Sequence, residues 1–175
     1  MKTRLLVVPL AAAALLAAAA IALPTAGAAP LAKPCSPANL VVWAGPQLGG
    51  GTAGGQGYEI RFTNLGAKSC ALSGFPGVSA VDLKGRRIGA AATHGAGKLR
   101  QIVLSPDGSA MAIVQIADAV NFPKARCAPT MAAGLRVALP GGSGAKIAPV
   151  AFETCAKPSA RTLSVNTVEA LAQAL

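Results

Sequence analysis

The stretch Tyr58-Glu59-Ile60-Arg61-Phe62-Thr63 alternates strictly between apolar and polar side chains. Because successive side chains of a β-strand point to opposite faces of a sheet, this alternation predicts a strand with one buried and one solvent-facing side. A second alternating run covers residues 109–117. Its apolar members would share one face of a strand: Ala110, Ala112, Val114 and Ile116.

Shorter apolar runs, most of them followed by a glycine or proline break, lie on both sides of these two segments. They are candidate strands at residues 39–43, 69–72, 78–83, 87–91, 99–104, 135–139, 146–152 and 162–168. We expect Gly45-Pro46 to end the first strand, Lys84-Gly85 to form a hairpin, and Ser105-Pro106-Asp107-Gly108 to form a type I turn. No stretch between residues 30 and 160 has a helical period. The sequence therefore predicts an all-β, immunoglobulin-like β-sandwich of about eight or nine short strands.

The composition supports one small folded domain. The chain has 175 residues with a formal net charge of +10, and 53% of its residues are hydrophobic while 13% are charged. Intrinsic disorder accompanies low hydrophobicity and dense charge, so this composition excludes a disordered chain. Only 3% of the residues are aromatic. The core must therefore consist mainly of small aliphatic side chains.

The N-terminus has the pattern of an export signal. Lys2 and Arg4 precede an uncharged apolar run at residues 5–23, and Ala26-Gly27-Ala28 supplies the small residues of a cleavage site. We predict a secretory signal peptide at residues 1–28, a linker at 29–34, the β-sandwich at 35–168 and a tail at 169–175, either a helical turn or frayed. An uncleaved membrane anchor is the alternative. We expect a secreted, extracytoplasmic protein with no stable membrane anchor after cleavage.

Four cysteines lie beyond the predicted cleavage site: Cys35, Cys70, Cys127 and Cys155. An even number in an oxidising compartment predicts two disulfides. Zinc ligands usually come in pairs two to four residues apart, a spacing these cysteines lack. Loop entropy does not choose among the three possible connectivities. The strand layout favours Cys35–Cys70 and Cys127–Cys155, because this pairing joins neighbouring elements within each half of the domain.

Residues suited to catalysis are scarce. His94, the single histidine, lies in a Gly-rich loop with no partner nearby in sequence to orient it as a base. Turn capping and solvation account for the carboxylates of Glu59, Asp82, Asp107 and Asp118. We therefore predict no catalytic residues, no metal site and no cofactor.

Basic residues are the most suggestive feature for binding. A candidate patch for anionic ligands consists of Lys84, Arg86, Arg87, Lys98 and Arg100. Positive surfaces attract anionic polymers and lipid headgroups, which we name as possible envelope partners. Nucleic acid is not expected, because the chain has an export signal and no platform of aromatic residues for base stacking. The alternative is an ordinary solvated basic surface.

Several motifs resemble a known family. They are Cys35, Asn64-Leu65-Gly66, the run from Cys70 to Gly77, the run from Leu104 to Ala110, and Cys127. Their spacing over about residues 35–168 resembles the secreted actinobacterial domain of unknown function 4232. The resemblance implies an exported, disulfide-bonded β domain, often found in envelope proteins, and it implies no activity. The chain departs from the family in having Leu65 where a small polar residue is commoner, and in lacking the lipobox of many members.

These observations favour a non-catalytic, secreted β-sandwich module of the cell envelope, with a binding or structural role. Two other classes stay open at this stage. One is an extracytoplasmic hydrolase whose site is built from residues dispersed along the chain. The other is a metal-binding module.

Overall fold

The computed structural model describes residues 32–47 and 54–171. The predicted signal peptide, the first part of the linker and the end of the predicted tail lie outside the described residues. The strands are β1 Leu40–Gln47, β2 Gly55–Asn64, β3 Cys70–Ser73, β4 Gly77–Val81, β5 Arg87–Ile88, β6 Thr93–His94, β7 Gln101–Leu104, β8 Ser109–Ala117, β9 Pro129–Ala138, β10 Ala145–Cys155, β11 Leu163–Val165 and β12 Glu169–Ala170. Helical structure is confined, within these residues, to α1 Lys124–Cys127 and two 3-10 turns, Pro37–Asn39 and Ala119–Asn121. None of these helices has the length and apolar character needed to cross a membrane.

Two sheets face each other. The larger has the strand order β1-β2-β8-β11-β6, with β12 also paired to β8, and the other has the order β10-β9-β4-β5. Strands β3 and β7 form a separate antiparallel pair. The predicted all-β, immunoglobulin-like sandwich is confirmed. In the described part of the chain, nine strands have three or more residues, as expected, and three further strands have two residues each.

The core lies between the two sheets. The alternating runs are confirmed as the central strands β2 and β8, and their apolar faces, with Ile60, Phe62 and Val114, are fully buried. Leu135 and Val137 of β9 belong to the same cluster from the opposite sheet. Burial of one such side chain contributes about 1.5–3 kcal/mol, so the period-2 pattern is what drives the sheets together.

Strand β1 continues through Gly45-Pro46 to Gln47, so the predicted break at this dipeptide is wrong. Proline has no N–H to donate to a ladder, and it is tolerated in strands mainly at sheet edges and bulges. Strand β1 is the edge of its sheet, and its register with β2 shifts between Ala44 and Gln47. The edge position therefore permits a residue that would end a central strand.

Two further local predictions differ from the structure. In the turn before β8, the Gly108 N–H donates to the Ser105 carbonyl at 2.9 Å, and Asp107 has a φ of 61°. Asp107 is the third residue of this turn and directly follows Pro106. A positive φ at that position is a property of a type II turn, not of the predicted type I turn. At the C-terminal end, Glu169 and Ala170 pair with β8 and form neither a helical turn nor a frayed end.

The predicted disulfide pairing is confirmed, with bonds Cys35–Cys70 and Cys127–Cys155. The first bond joins the segment before β1 to β3, where the Cys35 N–H also donates to the Ala71 carbonyl. The second joins the end of α1 to the end of β10. It lies in a small apolar cluster of its own, apart from the main core.

Candidate functional site

The hairpin between β4 and β5 carries three of the predicted basic residues on a fixed turn. The Gly85 N–H donates to the Asp82 carbonyl at 2.9 Å, and the Asp82 N–H donates to the Arg86 carbonyl at 3.0 Å. Gly85 has a φ of 73°, which favours glycine at this position. These bonds describe a type I turn closed by a left-handed glycine, one of the common hairpin connections.

The Asp82 carboxylate organises this turn. Its Oδ1 accepts hydrogen bonds from the backbone N–H groups of Lys84 and Arg86, both at 2.9 Å. Its Oδ2 accepts from the Arg86 Nε at 2.8 Å and lies 2.8 Å from Nη2. The Arg86 backbone N–H, together with the Arg86 guanidinium and the Lys84 N–H, holds the pKa of Asp82 below its ordinary value. Arg86 is thus held in place by its own turn.

Arg136 on β9 joins the hairpin arginines, and it is a site residue that our sequence reasoning missed. Arg87 pairs with Val81 of β4, and Arg136 pairs with Ser79 on the same strand. Directly paired residues lie on one face of a sheet, and residues two apart on a strand share that face. Arg87 and Arg136 therefore share the outer face, about 12 Å apart between Cα atoms by ladder geometry. The signal was present in the sequence, because Arg136 is the charged residue between the apolar Leu135 and Val137.

Lys98 and Arg100 lie elsewhere. The loop that holds them leads into β7, which pairs with β3 and not with the hairpin. They line a hollow of about 500 Å³ together with Glu169, Ile102 and Val168 and two further residues. The strand pairing that would bring the five predicted basic residues into one patch is not found in the described part of the chain. We define the basic surface as Lys84, Arg86, Arg87 and Arg136.

His94 lies beside the basic surface. Its ring stacks on Phe75, with the ring centroids 4.2 Å apart and the planes within 4°. A hollow of about 210 Å³ is lined by His94, Arg136 and Ser79. Among the residues that the structure describes, no aspartate or glutamate lines it. The His94 imidazole, the Arg136 guanidinium and the Ser79 hydroxyl can each donate a hydrogen bond to an anion in this hollow.

Two carboxylate side chains line a hollow in a different part of the surface. Asp118 and Glu153 both line a hollow of about 320 Å³ near the start of β2, with Gln56 and Phe152. Neither carboxylate accepts a side-chain hydrogen bond or forms an ion pair with any residue that the structure describes. Within the same residues, no three side chains of His, Cys, Asp or Glu come close enough together to hold a metal ion. All four cysteines are in disulfides.

The family model described as "Domain of unknown function (DUF4232)" matches residues 35–169. No curated protein and no solved structure matched the chain.

Proposed function

The chain belongs to the DUF4232 family, and from this premise we propose that it is a non-catalytic, extracytoplasmic module that binds an anionic component of the cell envelope through its basic surface. The observation that carries this proposal is the position of Arg87 and Arg136 on one sheet face, next to the rigid hairpin with Lys84 and Arg86.

Two features support an extracytoplasmic location. Both disulfides are fully formed, and disulfides of this structural kind persist in oxidising compartments, whereas the cytosol keeps thiols reduced. The N-terminal residues have the charge and apolar pattern of an export signal. Both features are expected of a module that works outside the cytoplasm.

Charge and rigidity support anion binding. In the described part of the chain, Lys84, Arg87 and Arg136 have no ion-pair partner, so their charges are available to a ligand. Arginine presents a planar set of donors that fits phosphate and carboxylate oxygens. Because the turn is held by hydrogen bonds and the sheet by the core, little backbone conformational entropy is lost on binding.

The proposal is tested with the exported, purified protein and immobilised polyphosphate as the probe. Neutralising Arg87 and Arg136 together (Arg87→Gln with Arg136→Gln) should weaken binding on the order of tenfold, as expected for two lost surface charges. Binding should also weaken as salt rises, because the attraction is largely Coulombic. The matched control removes the same charge from Lys98 and Arg100 and should have a much smaller effect.

Two results would contradict the proposal. If both double variants weaken binding equally, only net charge matters and the basic surface is no site. If the unaltered protein binds no anionic probe even at low salt, its basic residues form an ordinary solvated surface.

A further inference from the structure

Leu83 occupies the tip of the β4–β5 hairpin and is 95% exposed, more than any other large apolar side chain in the described residues. A single exposed leucine needs no explanation by itself. Here, however, the leucine is directly followed by Lys84 and lies within four residues of Arg86 and Arg87. The tip therefore combines one apolar group with several cations.

The turn fixes Leu83 in its outward position. Both residues next to Leu83 in the chain, Asp82 and Lys84, have their backbone N–H groups in hydrogen bonds of the turn. On the other side, Gly85 packs against Ile147 of β10: a Cβ built on Gly85 would lie 3.3 Å from the Ile147 Cδ1 atom. Ile147 is itself 47% exposed. The turn therefore lies next to a second partly exposed apolar side chain, on β10.

This combination fits a lipid interface better than a soluble polymer. A polyanion in water can satisfy the cations but offers nothing to an exposed leucine. An anionic bilayer supplies phosphate at the level of the cations and hydrocarbon a few ångströms deeper. The stem of Lys84 can lie in the apolar layer while its ammonium group stays at the headgroups.

A second loop of similar composition shows why the hairpin is the better candidate. Leu99 lies between two basic residues, Lys98 and Arg100, but its exposed fraction is 74%, compared with 95% for Leu83. Its Cδ2 atom packs against Gly74, because a Cβ built on that glycine would lie 3.5 Å from it. Its two basic neighbours share their hollow with the Glu169 carboxylate. This loop therefore presents less apolar surface and a weaker positive field than the hairpin.

We propose that the β4–β5 hairpin docks the protein onto an anionic lipid surface, with Leu83 inserted among the acyl chains and Lys84 and Arg87 bound at the headgroup phosphates. This inference rests on the proposed function, since it identifies the anionic component as a lipid. The hairpin reaches the bilayer as a preformed element, and no chain segment has to fold on binding.

The test measures binding to vesicles of equimolar phosphatidylglycerol and phosphatidylcholine, with vesicles of phosphatidylcholine alone as the reference. Leu83→Ala should weaken binding to the anionic vesicles about 50-fold, because three apolar carbon atoms no longer leave water. Leu99→Ala is the matched control and should bind like the unaltered protein. Neutralising Lys84 should weaken vesicle binding about fivefold.

A second readout reports depth directly. The single tryptophan is first replaced (Trp43→Phe), so that a new tryptophan is the only one in each variant. The tryptophan fluorescence of the Leu83→Trp variant should be quenched by lipids brominated on their acyl chains, whereas that of the Leu99→Trp variant should not. Equal vesicle binding by Leu83→Ala and the unaltered protein, or no quenching of the Leu83→Trp variant, would overturn the insertion. If polyphosphate binding then remains, the anionic site stands and its partner is a polymer. If no anionic probe is bound, both proposals fail.

Discussion

Asn64, at the end of β2, holds two turns together. Its side-chain Nδ2 group donates to three carbonyls, those of Lys68, Leu104 and Ser105, at 2.9–3.2 Å. Its Oδ1 accepts from the Gly66 N–H at 3.0 Å. The residue is 1% exposed. This network gives a structural reason for the motif Asn64-Leu65-Gly66 and for its association with the turn at residues 105–108.

Replacing this asparagine (Asn64→Ala) should lower the free energy of unfolding by about 2–4 kcal/mol, because several buried backbone groups lose their hydrogen-bond partner at once. Chemical denaturation measures the loss. Asn121→Ala is the control: the side chain of Asn121 is exposed, and among the described residues it makes a single side-chain hydrogen bond, to the Gly54 carbonyl. Its loss should be under about 1 kcal/mol. Equal losses for the two variants would contradict a structural role for Asn64.

At the level of elements, the β4–β5 hairpin forms where its local sequence predicts it. Gly85 provides the left-handed residue, and Asp82 accepts the N–H groups that the turn leaves unpaired. Strand β1 behaves differently, since its Gly45-Pro46 dipeptide signals a break and the strand continues. The hairpin depends on neighbours within five residues, whereas the length of β1 depends on its place at the edge of a sheet.

The hairpin should stabilise the fold in a pH-dependent way. The pKa of Asp82 is lowered from its ordinary value of 3.8 in the folded state, so its contribution is fully present above about pH 4 and is lost as the pH falls through the lowered pKa. Unfolding of the unaltered protein and of Asp82→Asn is compared from neutral to acidic pH. The difference in stability should be largest near neutrality and vanish in acid. A difference that stays constant with pH would show that the carboxylate charge has no part in it.

For the whole molecule, the disulfides compensate for a core of small side chains. Many buried core residues are alanine or valine, which remove less apolar surface from water than leucine or phenylalanine. The bonds Cys35–Cys70 and Cys127–Cys155 span 35 and 28 residues and act in different parts of the fold. Each bond restricts the unfolded chain over a different segment.

Removing the second bond (Cys127→Ala with Cys155→Ala) should cost roughly 2–5 kcal/mol, and removing the first a similar amount, because loop entropy depends only logarithmically on length. Thermal and denaturant unfolding without reductant gives both values. The unaltered protein under reducing conditions should lose more than either double variant. A double variant as stable as the unaltered protein would show that its disulfide does not stabilise the fold.

The sequence by itself determined the class of fold, the disulfide pairing and the positions of most strands. The alternation of apolar and polar residues at 58–63 and 109–117 is a local pattern. The burial of the side chains in the structure follows it, because each of the two strands has one face in the core. The basic hairpin was predictable for the same reason, since its turn is built from adjacent residues. The cysteine pairing followed once the strands had been placed in order along the chain.

The tertiary structure alone decided which of these elements lie side by side. It placed Arg136 on the same sheet face as Arg87, separated Lys98 and Arg100 from the hairpin, and paired Glu169 with β8. Strand pairing joins segments far apart in sequence, and any half-buried strand can present the same alternation to several partners. The choice among partners depends on how the whole core packs, so the binding surface emerged only when all the strands were in place.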